Sequence, residues 1–118
     1  MMDCKERLLE VLDECGEAAV FYHDMNITAA NERFARLFGK TVEECEGLSI
    51  LDICHNDSTE RIKDNIHRRK LGDHNVPMHY EAKFVTPDNP ELSLVLTVLK
   101  LKKARDGILV IVREKAGQ

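Results

Sequence analysis

The sequence predicts an α+β fold, and three observations carry that prediction. Apolar residues recur with a helical period in the middle of the chain and alternate with period 2 in its last third. Residues that start helices appear in series at Asn31, Thr41, Ser49 and Asp57. An Asp106-Gly107 turn separates the last two apolar strands, a strong hairpin signal. The 118 residues amount to one domain by length.

The elements follow in order. Residues 5–15 read as an amphipathic helix with Leu8, Val11, Leu12 and Cys15 on one stripe and Gly16 as its stop. So narrow a stripe must lie on something, either its own domain or a second copy. Ala18-Ala19-Val20-Phe21-Tyr22-His23 has strand character. Asp24-Met25-Asn26 is a tight turn, with Asn26 suited to a positive φ. Ile27-Thr28-Ala29-Ala30 completes a hairpin.

Asn31 is placed to cap a helix running to Phe38, whose apolar face is Phe34, Leu37 and Phe38, and Gly39 ends it. Thr41-Val42-Glu43-Glu44 is a capping box, closed by Gly47. Ser49 starts a further turn through Ile50, Leu51 and Ile53. Asp57-Ser58-Thr59-Glu60 begins a longer helix to Lys70 that turns Ile62 and Ile66 inward, and Gly72-Asp73 breaks it.

Met78, Tyr80, Ala82 and Phe84 then alternate with polar residues. Thr86-Pro87-Asp88-Asn89-Pro90 is a turn. Leu92, Leu94, Leu96 and Val98 form one face of a strand, and Val95, Leu99 and Leu101 sit on the other. Ile108-Leu109-Val110-Ile111-Val112 is the final strand.

Composition narrows the function. The chain is 43% hydrophobic and 32% charged, with 17 basic and 21 acidic residues and a net charge of −4. A slightly acidic chain without a basic block argues against nucleic-acid binding by this segment. No apolar run is long enough to span a bilayer, and the charged N-terminus has no signal-peptide core, so no membrane contact and a cytoplasmic location are expected. The four cysteines, Cys4, Cys15, Cys45 and Cys54, form no Cys-x-x-Cys pair. They are expected to be small buried or half-buried residues, with neither disulfides nor a metal site.

The order and spacing of Asp24, Ile27, Asn31, Phe34, Gly39, Thr41, Glu43, Glu44 and Gly47 resemble the entry half of a PAS domain, a sensor module of signalling proteins. Leu51-Asp52-Ile53-Cys54-His55-Asn56-Asp57 is similar to that family's Leu-x-x-x-His-Pro-Asp run, with Asn56 replacing the proline. Asn26 stands where the family has its turn glycine. The resemblance divides the chain into an N-terminal helix, residues 1–16, and a PAS domain, residues 17–115. It implies a five-stranded antiparallel sheet with helices across one face, a ligand site between them, and partners on the other face. It further implies a homodimeric, non-enzymatic regulatory module of a histidine kinase or transcriptional regulator. The chain ends at Gln118, just past the last strand, so a longer parent protein is expected.

The candidate pocket is lined by Ile50, Ile53, Ile62, Ile66, Met78, Tyr80, Leu94, Leu96 and Val110, and the simpler alternative is a filled core. The candidate dimer or partner surface is Leu8, Val11, Leu12, Val95, Leu99 and Leu101. No cofactor is called for. The flavin light sensors of the family carry Asn-Cys-Arg, whereas Cys54 is flanked by Ile53 and His55, and the chain has no tryptophan. A haem would need His74, or the less favourably placed His67. Cys54-His55 lacks the surroundings of a nucleophile–base pair, so no catalytic residue is assigned.

Overall fold

The computed structural model describes residues 4–100 and 108–115. Helix α1 (Cys4–Glu14) precedes strands β1 (Ala18–His23) and β2 (Asn26–Ala30). Helices α2 (Glu32–Leu37) and α3 (Val42–Cys45), a single 3₁₀ turn (Ile50–Asp52) and helix α4 (Asn56–Lys70) follow. Strands β3 (His79–Phe84), β4 (Leu92–Lys100) and β5 (Ile108–Glu114) complete one antiparallel sheet in the order β2-β1-β5-β4-β3. The expected Asp106-Gly107 turn and Leu101 lie outside the described residues.

The sheet separates two apolar clusters. On the inner face Val20, Tyr22, Ala82, Phe84, Leu94, Leu96, Val98, Val110 and Val112 meet Phe34, Phe38, Ile53, Ile62 and Ile66. On the outer face Leu9 of α1 packs on Ala19, Phe21 and Leu109, with Leu8, Leu12, Ala29, Leu99 and Ile111 around them. So α1 is a lid on its own domain. Its buried stripe centres on Leu9, not on the expected Leu8–Val11–Leu12–Cys15 row. Val11 is 48% exposed, and Cys15 and Cys4 are exposed rather than half-buried. Burying one leucine stabilises by about 1.5–3 kcal/mol, so Leu9 alone is a substantial part of the helix's docking.

Asn31 holds these layers together. Its Oδ1 accepts from the N–H groups of Phe34 (3.0 Å) and Ala19 (3.1 Å). Its Nδ2 donates to the carbonyls of Glu17 (2.8 Å) and Leu9 (3.3 Å). The cap of α2 therefore also fastens α1 to β1. Asp13 adds to this joint, taking the Arg33 N–H on its carboxylate at 2.9 Å and the Arg33 Nε–H on its carbonyl at 2.7 Å.

The predicted capping box forms at Thr41/Glu44, and Ser49, expected to start a turn, also forms a box with Asp52. Helix α4 starts two residues earlier than expected. Its cap is His55, whose Nδ1 accepts from Asp57 N–H at 3.1 Å. The left-handed residue of the first hairpin is Asp24 (φ 54), not Asn26, which pairs with His23. Gly39 (φ 67) is required where α2 turns back. A Cβ there would lie 2.6 Å from Pro87 Cγ.

Strand β2 carries a bulge. Phe21 pairs with Ala29 and Tyr22 with Ile27, leaving Thr28 extra. One extra residue flips the alternation, so Ile27 and Ala30 both reach the inner core.

Replacing Asn31 with Ala should cost roughly 3 kcal/mol, because buried donors and acceptors on three elements lose their partners at once. Urea unfolding measures the loss. Hydrogen exchange should also speed up first within α1.

Candidate functional site

The segment after α3 closes the inner face by bonding to both edge strands. Gly47 N–H and Ile50 N–H donate to Ile27 and Met25 carbonyls at 2.8 and 2.7 Å, beside β2. Val85 N–H donates to Ile53 carbonyl, and His55 N–H to Lys83 carbonyl, both at 2.8 Å, beside β3. Ser58 Oγ accepts from Lys83 N–H at 2.8 Å and so fixes the start of α4 on the same edge.

Under this cover lies a cavity of about 40 Å³. Ile50, Ile53, Ile62, Ile66, Tyr80, Leu94, Leu96 and Val110 line it, as do Val20, Tyr22, Ile27, Phe34, Phe38, Phe84, Val98 and Val112. Met78 does not. It precedes the first residue of β3 and is 51% exposed, while Val76 is buried nearby. Tyr22 and Phe34 were legible as inward-facing from their strand parity and helix face, but nothing local joins them to Ile62 and Tyr80.

The wall is apolar apart from two phenols. Tyr22 hydroxyl accepts from Arg69 Nη1 at 3.4 Å, and Arg69 Nη2 donates to Pro77 carbonyl at 2.9 Å. Burial pushes the Tyr22 phenol up, against the opposing pull of the Arg69 charge. Burial likewise raises Tyr80, partly offset by the nearby Asn65 amide and the Arg69 and Arg61 charges. Arg61 stands 5.8 Å from the centre of the Tyr80 ring. Asn65 on α4 is buried, yet its Nδ2 makes no hydrogen bond. It lies close enough to the Tyr80 hydroxyl to favour that group's charged form, but short of hydrogen-bond geometry.

A haem or flavin does not fit this cavity. The space is a small fraction of either ring system, and no histidine or cysteine lines it. His74 is exposed in the loop after α4, and His67 is exposed on the helix. Cys54 points elsewhere, donating to Leu51 carbonyl at 3.5 Å. Cys45 is fully buried, and burial pushes its thiol up, away from the reactive thiolate.

A second group of side chains, His55, Asp57 and Glu91, comes together at the start of α4. His55 Nε2 is 3.4 Å from Glu91 Oε1. The Nδ1 cap assigns the proton to Nε2, so that nitrogen faces Glu91 as a donor. The cap therefore competes with metal ligation by this ring.

On the outer face, Leu8 and Leu12 are half-buried against the sheet and Val11 faces solvent. Val95 and Leu99 are half-buried on β4. The rim is charged. Arg113 makes a two-pronged ion pair with Glu17 (2.8 and 2.9 Å), and Lys115 pairs with Glu81 at 3.2 Å. No described helix is long and apolar enough to cross a membrane.

A profile of the PAS domain family matches residues 17–114. No curated protein matches the chain. Among solved structures, a PAS domain from Colwellia psychrerythraea is 16% identical with a TM-score of 0.72, covering 98% of this chain and 100% of that one. The PAS domain of a LuxR-family transcriptional regulator from Burkholderia thailandensis, in complex with ethanol, is 16% identical with a TM-score of 0.65. That alignment covers 96% of this chain and 97% of the other. The PAS domain of the quorum-sensing receptor RpfR from Cronobacter turicensis, in complex with BDSF, is 12% identical with a TM-score of 0.66. Here the coverage is 81% and 88%. At these identities the likeness is one of fold.

Both phenols ionise above the ordinary value of 10.0 in the folded chain. The unfolded chain loses those protons first, so their contribution is intact below pH 10 and is lost as pH rises through the folded values. Absorbance at 295 nm should show delayed ionisation of Tyr22 and Tyr80 that coincides with unfolding by circular dichroism.

Proposed function

The chain belongs to the PAS domain family, and from that premise we propose that it is a sensor and dimerisation module of a cytoplasmic signalling protein. The parent would be a histidine kinase or a transcriptional regulator, with this segment relaying binding of a small molecule to an output domain. The observation that carries this reading is the apolar cavity, one wall of which, strand β1, also forms the seat of α1. Val20 and Tyr22 face the cavity, while Ala19 and Phe21 face Leu9.

A ligand that favours one packing of α4 and the 47–55 segment against the sheet shifts the population toward that packing. The shift passes through β1 and β5 to the outer face. There Leu8, Val11, Leu12, Val95 and Leu99, with Leu101 beyond the described residues, would meet a second copy of the chain. The structures similar in fold that hold ethanol or BDSF support small-molecule binding as the input. The competing reading is an interaction module with a filled core. A space of about 40 Å³ exceeds the roughly 10–15 Å³ that one water needs, which favours the sensor.

Two arginine substitutions on β4 separate core from seam. Leu96→Arg puts a charge into the inner core and should leave no folded protein at 25 °C. Leu99→Arg should keep the circular dichroism spectrum and turn a dimer into a monomer by analytical ultracentrifugation. A Leu99→Arg protein that stays dimeric places the seam elsewhere. Native mass spectrometry of the purified protein would read any co-purified ligand as a mass excess lost on denaturation.

A further inference from the structure

We propose a second binding site, outside the cavity, for a small carboxylate with an apolar body, anchored by Arg69. The site is a pocket of about 220 Å³ between the end of α4, the loop after it and the end of β4. Its apolar wall is Val76, Met78 and Val98, and its polar residues include Arg69, Lys100, Asp73 and His74. Three observations carry the proposal.

The first is a cation without a counter-ion. Arg69 is half-buried, and among the described residues its guanidinium meets two neutral oxygens and no carboxylate. These are Pro77 carbonyl at 2.9 Å and Tyr22 hydroxyl at 3.4 Å. The second contact lies near the outer limit of a hydrogen bond, so little is lost when a stronger acceptor replaces it. The fork of five N–H donors keeps others for a two-pronged acid.

The second is that the usual claims on such an arginine are already met. Basic residues favour helix C-termini because the last carbonyls are short of donors. Here the carbonyls of His67, Arg68 and Arg69 accept from the N–H groups of Leu71, Asp73 and Gly72 at 3.1, 3.0 and 3.1 Å. Asp73, the carboxylate lining this pocket, has both oxygens engaged, one by Arg68 Nε and one by Asn75 N–H, each at 2.8 Å. Lys100 adds a second positive charge to the pocket.

The third is Met78. Its side chain is 51% exposed and, with buried Val76 and Val98, sets an apolar surface beside these cations. An inorganic anion would leave that surface wet, and a neutral apolar molecule would leave Arg69 unpaired. A carboxylate on a short hydrocarbon chain satisfies both. Tyr22 and Val98 also line the cavity, so the outer site touches its wall. It does not depend on what fills that cavity.

The test compares hexanoate with hexanamide, which keeps the chain and nearly the shape but carries no charge. NMR titration at constant ionic strength follows the Met78 methyl group and the Arg69 Nε–H. Both should move with hexanoate in the wild type, a measurement that stands even if a variant fails to fold. The ratio of hexanoate to hexanamide affinity should fall at least tenfold in Arg69→Gln, the worth of a charge-assisted hydrogen bond. In Arg69→Lys it should fall less, since the ammonium keeps the charge but not the fork. If the Met78 and Arg69 signals ignore hexanoate, or Arg69→Gln leaves the ratio unchanged, the outer site is overturned. If hexanoate moves only the methyl groups of Ile62, Ile66 and Leu94, the acid sits in the cavity. The outer site then falls while the sensor reading stands.

Discussion

The primary carboxamide of Asn31 is the joint on which the architecture depends. One oxygen receives the N–H groups of β1 and α2, and one nitrogen supplies hydrogens to Leu9 in the middle of α1 and to the segment entering β1. Aspartate could cap α2 but has no hydrogen to give the two carbonyls. Glutamine has the right groups on too long a stem. Of the ordinary side chains, asparagine alone offers both functions at this reach. The residue therefore specifies that a lid exists and where it sits.

That seat decides how the two faces of the sheet communicate. A single strand, β1, has buried side chains on both sides, and its neighbour β5 does so at Leu109, Val110 and Val112. Cores are close-packed, so a displacement on one face has little free volume to absorb it before reaching the other. The edges are restrained as well. The 47–55 segment bonds to β2 and to β3, and Asp24 at the tip of the first hairpin meets Lys70 at the end of α4 at 2.7 Å. The Lys70 hydrogen bond holds the Asp24 carboxyl below its usual range. The inner helices and the two hairpin strands thus move as connected parts.

Much of this was legible in the sequence because it is encoded locally. A cap needs only a side chain and an amide two or three residues on, so Asn31, Thr41 and Ser49 announce their helices. The alternation of Leu92, Leu94, Leu96 and Val98 places a strand and its buried face with no knowledge of partners. What escaped is what distant contacts decide. The Leu8-Leu9 pair leaves the rotation of α1 ambiguous by one residue, and bonds from Asn31 and Arg33 settle it in favour of Leu9. Met78 keeps the strand's alternation and even accepts from Val98 N–H at 2.8 Å, but its side chain is left in solvent. Asn65 gave no signal at all. An asparagine on a helix reads as surface, and only the folded arrangement shows it buried beside Tyr80.

The extra residue in β2 gives that strand a reading frame. Ile27 and Ala30 are three apart and share a face only because Thr28 stands out of the ladder. Shortening the strand by one residue there would leave its composition nearly unchanged. Yet it would force a choice between Ile27 in the core and Ala29 under the lid. Length variation should therefore be far better tolerated in the solvent-facing loop after α4 than in these five residues, which carry their information in count as much as in kind.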